Sequence, residues 1–301
     1  MLSEFELIRK YFERPTPGAV LGVGDDAALL RPAAGMELAV STDLLLEGRH
    51  FRAGADPRKL GHKTLAVNLS DMAAMGARPR WATLALALPA ADESWLDGFA
   101  RGFFALAERH GVELVGGDTT RGPLTLCVAI IGEVPRGQAL LRGGAAAGDE
   151  IWVSGELGGA ALALSQPENS AAAQRLDEPE PRVGLGLRLR GIATAAIDVS
   201  DGFAQDLGHI LERSGLSARV EYERLPKFPG ADASHVLSGG DDYELIFTAP
   251  RDRRGAIEEL SGDIGLPLAR VGTIRGGKPD LEILDGAGHR IVPQRGFDHF
   301  A

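Results

Sequence analysis

The chain of 301 residues has one cysteine, Cys127. An internal disulfide framework and a cysteine-based zinc site are therefore excluded. It has no excess of basic charge. Its 32 Lys and Arg stand against 42 Asp and Glu, for a net charge of −10, whereas a nucleic-acid surface needs a basic face. It has no run of the roughly 18 apolar residues that a membrane helix requires. The opening MLSEFELIRKYF carries early acids and no long apolar core, unlike a signal peptide. The expectation is a cytoplasmic protein without nucleic-acid or membrane partners. Familiar nucleotide signatures are missing too: there is no GxxxxGK[ST] and no HRD or DFG set. The G-x-G of GVGDD lacks the following helix and third glycine of a dinucleotide fingerprint.

What the chain does have is glycine, 40 residues of it, clustered beside aspartate in GVGDD, GGD and SGGDD. Glycine permits positive φ and close backbone approach, which suits loops wrapped round a ligand. Apolar content of 44% and charged content of 25% are ordinary for a globular protein. The length predicts two domains. Composition shifts to Gly, Ala and Arg over residues 135–148, which sets the expected domains at 1–136 and 137–301.

The pattern predicts a helix over 3–12, then strands at Asp26–Leu30 and Glu37–Thr42 joined by a turn at Pro32–Gly35. Pairing of these two strands as a hairpin would bring the acids of GDD and STD together. A helix follows Asp56-Pro57 and stops at Gly76. Next come a strand at 81–88, a helix at 92–110, a short strand at Leu114–Val115 running into a GGDTTRG loop, and a strand at 124–134. The second half reads as a strand at 149–154, a helix at 158–165, an exposed connection over 166–182 and a helix at 183–194. A strand then ends at Asp198–Val199, and a helix follows from about Asp201, with Ser200 as its N-cap and Gly215 as its terminator. Strands at 217–223, within 236–250, near 268–275 and near 281–285 complete an α+β fold of mixed layers. A G-D-D element in each half (Gly24–Asp26, Gly240–Asp242) is compatible with a duplication.

One stretch stands apart. HKTLAVNLSDMAAMG, residues 62–76, is almost wholly apolar or small, yet Thr64, Asn68 and Asp71 form one narrow polar stripe at i, i+4 and i+7. A carboxylate on a buried helix needs a partner. Lys63 lies about 80° round the helix from Asp71 at roughly 100° per residue; a structural ion pair with a distant Arg is the other simple answer. Asp25, Asp26, Asp43, Asp118, Asp198, Asp201, Asp241 and Asp242 also abut glycine or follow a strand. Each alone is an ordinary turn residue. Several carboxylates converging repel unless divalent cations sit among them. Aspartates with a Thr hydroxyl, and no His or Cys pairing, suit Mg²⁺ shared with phosphate oxygens.

The stretches GVGDDAALL, STDLLLEGRHF, KTLAVNLSDMAAMGARP, GGDTTRGPL, AIDVSDGFAQDLGHI, SGGDDYELIF and the terminal GFDHF occur in that order over nearly the whole chain. Together they resemble the thiamine-monophosphate kinases. That family sits in a superfamily with aminoimidazole ribonucleotide synthetase, selenophosphate synthetase and a hydrogenase-maturation protein. The resemblance implies ATP-dependent phosphorylation of thiamine monophosphate to the diphosphate. It also implies a homodimer whose N-terminal sheets join into a barrel, a C-terminal α/β sandwich, and nucleotide near the domain cleft. Matching motif to motif, it implies that Asp26, Ser41, Thr42, Asp43, Asp71, Asp118, Asp198 and Asp201 hold several magnesium ions. Gly117, Asp118, Arg142 and Ser200 would contact ATP, and His50, Asp241 and Phe297 the thiamine phosphate. It assigns no general base. Two positions depart from the family pattern: Asp241 stands where Glu is frequent, and Phe297 where Tyr or Trp is frequent. Without the family, His50 reads as a loop histidine, Phe297 as terminal packing and Arg142 as solvated. Two rival functions remain: another ATP-dependent member of the superfamily, and a non-enzymatic divalent-ion-binding module. Selenophosphate synthetase would want a reactive N-terminal Cys, and the hydrogenase-maturation type a C-terminal one; neither is present.

Overall fold

The computed structural model of the chain describes residues 3–294 and 296. They fall into two compact units, Met1–Met72 with Ala77–Gly137, and Ala73–Gly76 with Gln138–Ala301. The fold is α+β with two mixed sheets. Among the described residues neither sheet closes into a barrel, and no helix is long and apolar enough to cross a membrane.

In the first unit, α1 (Glu4–Tyr11) starts on a capping box. The Glu6 amide donates to the Ser3 hydroxyl at 3.4 Å and the Ser3 amide donates to the Glu6 carboxylate at 2.8 Å. Then follow β1 (Met36–Leu46), α2 (Pro57–Ala74), β2 (Arg78–Leu88), α3 (Glu93–His110), β3 (Glu113–Arg121) and β4 (Thr125–Pro135). Asp56 starts α2 by accepting from the amides of Arg58 and Lys59 at 2.9 and 3.1 Å. Asp92 caps α3 in the same way, and Gly111 ends it at φ 65°. The sheet order is β1-β4-β2-β3, with only β2 and β3 parallel, as expected of strands joined through a helix. Trp81, Leu84, Leu86, Leu126, Val128 and Ile130 of the sheet and Leu65, Leu69, Phe99 and Phe103 of the helices make the core. Helices α2 and α3 cross at glycine: a Cβ on Gly61 would strike the Phe99 carbonyl, and one on Gly102 the Arg58 carbonyl.

The expected hairpin is absent. Residues 26–30 form no strand, and only isolated bridges, Leu21–Leu29 and Val23–Asp25, occur there. Gly24 at φ 124° breaks the extended run, and Gly24–Ala27 are exposed. Strand β1 instead pairs antiparallel with the distant β4 along its whole length, from Met36↔Pro135 to Leu46↔Thr125. A full-length apolar partner outcompetes a short acidic one. GGDTTR is likewise not a loop but the continuation of β3. Gly117 makes this possible at φ 153°, because any side chain there would collide with the Leu84 carbonyl of β2.

The second unit contains β5 (Glu150–Ser154), α4 (Gly159–Ser165), α5 (Ser170–Asp177), α6 (Val183–Leu189), β6 (Ala195–Asp198) and α7 (Phe203–Ser214). It continues with β7 (Ser217–Glu221), α8 (Ala233–Ser238), β8 (Leu245–Ala249), α9 (Arg254–Ile264), β9 (Leu268–Arg275), β10 (Leu281–Leu284) and β11 (Arg290–Ile291). The sheet order is β11-β10-β7-β9-β5-β8-β6. Strands β5 and β8 are buried throughout. Ile151, Val153, Ile197, Phe203, Leu207, Ile210, Ile246 and Val271 are among the core residues. The stretch 166–182, expected as a connection, holds α5, started by the Asn169 side chain accepting from the Ala172 amide at 3.1 Å. The helix expected over 183–194 ends at Leu189. Helices α8 and α9 and strand β11 have no counterpart in the sequence pattern.

Gly102→Ala is expected to destabilise by about 1–3 kcal/mol or more, because the methyl meets backbone. Gly184→Ala, in α6 with nothing within 4 Å of the new methyl, is expected to stabilise by about 0.4–1 kcal/mol. Urea midpoints of the two variants should move in opposite directions.

Candidate functional site

The candidate residues fall into one group in each unit. In the first, β1 places Ser41 and Asp43 on one face and Thr42 on the other by simple alternation. The Ser41 hydroxyl donates to Asp71 Oδ2 on α2, 30 residues away. STD and NLSD, distant in sequence, thus meet through a hydroxyl and a carboxylate. The polar stripe on α2 divides into two behaviours. The Thr64 hydroxyl donates to the Leu60 carbonyl at 2.7 Å, and the Asn68 amide donates to the Thr64 carbonyl at 3.1 Å. Asp71 instead leaves its own helix for β1. Asn68 Oδ1, buried one turn before Asp71, takes no hydrogen bond. The partner of Asp71 in β1 is a serine.

Asp26 is exposed, its amide donating to Asp25 Oδ1 at 3.0 Å. Gly117 and Asp118 are exposed on β3. Strands β1 and β3 are the two edges of the sheet. The register runs Asp43, Val128, Leu84, Gly117 in one row, so Asp43 and Asp118 enter at nearly one level from opposite edges. In a flat sheet three strand spacings would separate them by about 14 Å; sharing one ion requires the sheet to curl. His50 lies in the turn after β1, where its Nδ1 accepts from the Leu46 amide at 2.9 Å. A neutral ring then carries its proton on Nε2.

In the second unit, Arg142 is exposed, its carbonyl accepting from the Ser214 hydroxyl at 3.5 Å. Asp198 ends β6 and is buried, and Ser200 and Asp201 follow in a half-buried loop. Ser200 is not the N-cap of α7. That position belongs to Gly202 at φ 120°, which offers no side chain. The loop amides go to Asp206 instead. Its Oδ2 accepts from Ser200, Asp201 and Gly202 at 3.1, 3.1 and 3.0 Å. Asp206 is 2% exposed. Burial, then the charges of Asp198 and Asp201, push its pKa up to about 8 against the pull of the amides.

A second loop is laced to the first. The Asp241 amide donates to the Ser200 carbonyl at 3.0 Å, the Tyr243 amide to Val199 at 2.9 Å, and the Val199 amide to Glu244 at 2.8 Å. Gly240 lies so close to the Ser200 carbonyl that a Cβ there would collide with it. Asp241 and Tyr243 sit at φ 64° and 51°, the only non-glycine residues at positive φ among those described. The Tyr243 hydroxyl donates to Asp241 Oδ1 at 2.9 Å. Asp242 accepts from the amides of Gly158 at 2.7 Å and Ala160 at 3.4 Å. Burial raises its pKa to about 7, aided by Glu244 and Asp241. Glu244, 1% exposed, takes Arg182 in bidentate fashion and the Ser154 hydroxyl at 2.6 Å. Phe297 lies outside the described residues.

Sequence reasoning passed over Asp206 and Tyr243. Asp206 had the same signal as Asp71, a carboxylate on the inward face of an amphipathic helix. Tyr243 had none.

Among the described residues, no three His, Cys, Asp or Glu side chains close round a point that could hold a metal ion. Magnesium does not need three. It keeps waters and is commonly bound by one or two carboxylates plus substrate phosphates. The donors here, carboxylates with the Ser41 and Thr42 hydroxyls and the unsatisfied Asn68 Oδ1, are hard oxygens, and they fit that ion better than a soft one.

Residues 24–134 match the family described as AIR synthase related protein, N-terminal domain, and residues 146–283 its C-terminal domain. The thiamine-monophosphate kinase of Salmonella typhimurium is 44% identical over 99% of this chain and 98% of its own. The crystal structure of thiamine-monophosphate kinase from Stenotrophomonas maltophilia K279a superposes with a TM-score of 0.84 at 48% identity, covering 92% of this chain and 94% of that one. AaThiL complexed with AMPPCP and TMP gives 0.78 at 30% identity, covering 98% and 96%. The chain belongs to the AIR synthase related family and, within it, to the thiamine-monophosphate kinases, which makes it a kinase.

Proposed function

We propose that the chain transfers the γ-phosphoryl group of ATP to the phosphate of thiamine monophosphate, giving the diphosphate, as a cytoplasmic magnesium-dependent enzyme. The observation that carries this reading is the full-length likeness to a protein that holds an ATP analogue and TMP together. The Ser41–Asp71 bond supports it, since it joins two of the motifs on which the reading depends.

Asp26, Ser41, Thr42, Asp43, Asp71 and Asp118 of the first unit, and Asp198 and Asp201 of the second, would hold magnesium. Bound magnesium would supply charge neutralisation between two anionic reactants. The chain's own residues position and hold. The exposed Gly117–Asp118 backbone, Ser200 and Arg142 contact ATP, the guanidinium matching phosphate geometry. His50 offers Nε2–H to the acceptor phosphate, its ring fixed from behind by the Leu46 amide. Asp241 and Phe297 contact the thiamine phosphate. The transfer is direct and in line. A phosphate monoester is largely dianionic near neutral pH, with its second pKa near 6, so its oxygen needs no general base.

The working form is a homodimer. Leu38, Val40 and Leu44 stand at every second or fourth position of the edge strand β1 and are 45%, 65% and 49% exposed. An exposed apolar row on a sheet edge asks for a partner surface. A second copy of the sheet, closing a barrel, would cover it.

Incubation with ATP, Mg²⁺ and thiamine monophosphate should give the diphosphate by chromatography; ATP consumption with no diphosphate would overturn the reading. Asp71→Ala and Asp43→Ala should each abolish turnover and weaken Mg-ATP binding by calorimetry, with an unchanged circular dichroism spectrum. Near-full activity in either variant would remove the metal-holding role. Val40→Glu should shift sedimentation from dimer to monomer, and an unshifted dimer would exclude the β1 row from the interface.

A further inference from the structure

The loop Gly239–Glu244 is held on several sides. Asp242 is tied to the amides of Gly158 and Ala160, Glu244 to Arg182 and Ser154, and the backbone of Asp241 and Tyr243 to the Ser200 and Val199 carbonyls. These anchors account for the persistence of two left-handed residues, Asp241 and Tyr243, a conformation that is costly for a non-glycine residue. The side chain of Asp241 has a contact of its own. The Tyr243 hydroxyl bonds it directly, at 2.9 Å across one intervening residue. A tyrosine that only filled space would not need positive φ, which a bulky residue adopts at a cost. Here the strained backbone accompanies a phenol set on the carboxylate.

We propose that Tyr243 is a positioning residue for substrate binding. Its hydroxyl holds the Asp241 carboxylate in its binding orientation before thiamine monophosphate arrives. The inference rests on the reading of Asp241 as a substrate contact. It follows from reach: a carboxylate one methylene shorter than glutamate has less range to find its partner, so its direction matters more. Fixing that direction in the free protein removes an ordering cost from the binding step.

The test is a double-mutant cycle in the full-length enzyme with Tyr243→Phe, Asp241→Asn and both together. Phenylalanine keeps the ring and removes only the hydroxyl. Tyr243→Phe should raise KM for thiamine monophosphate about tenfold, leaving KM for ATP and the melting temperature near their starting values. The double variant should bind thiamine monophosphate no worse than Asp241→Asn alone, because Tyr243 acts through Asp241. An unchanged KM in Tyr243→Phe, an equal rise in KM for ATP, or multiplying effects in the double variant would overturn the proposal. An unchanged KM in Asp241→Asn would overturn it by removing the Asp241 contact. A wild-type enzyme that forms no diphosphate would instead overturn the functional reading itself.

Discussion

A carboxylate withdrawn from water must meet donors or an opposite charge, and the way each one does so organises both units. Asp206 gathers three consecutive amides, and those amides shape the loop carrying Ser200 and Asp201. Asp242 takes amides at the start of α4. Glu244 takes Arg182 and Ser154. Asp71 takes the Ser41 hydroxyl of β1. The first three are consumed in building the loops.

The same requirement explains how much of the molecule was readable. Caps are local chemistry, so Asp56, Asp92 and the capping box at Ser3 act where their sequence places them. Helix α2 with its stripe was legible from spacing alone. Strand partners are another matter. Nothing near residues 26–30 announces that β1 will take the distant β4, because that choice compares partners far apart in the chain. The glycines of GGD mislead for a related reason: beside an aspartate they suggest a loop wrapped round a ligand, whereas Gly117 lets two strands approach. Ser200 resembles an N-cap within its own loop, but Asp206, six residues on, collects the amides of Ser200, Asp201 and Gly202.

Site residues were legible as types and motifs but not as neighbours. The meeting of Ser41 with Asp71 needs β1 at its actual register beside α2, and the sequence contains no trace of that register. The interlock of residues 198–202 with 239–243 needs β6 beside β8, a pairing of strands separated by α7, β7 and α8. Tyr243 could not be singled out because its importance is conformational. Only its φ and its bond to Asp241 distinguish it from an ordinary half-apolar strand residue.

The arrangement of acids also bears on how such a site works. A cage of many protein carboxylates would bind a divalent ion without nucleotide, and the ion would then be partly quenched before any phosphate arrived. Carboxylates offered singly or in pairs leave most of the coordination sphere to water and phosphate. Metal and nucleotide then favour each other's binding, because each completes what the other lacks. Among the described residues no three His, Cys, Asp or Glu side chains gather round one point, so under the proposed function the acids would offer their oxygens to magnesium singly or in pairs.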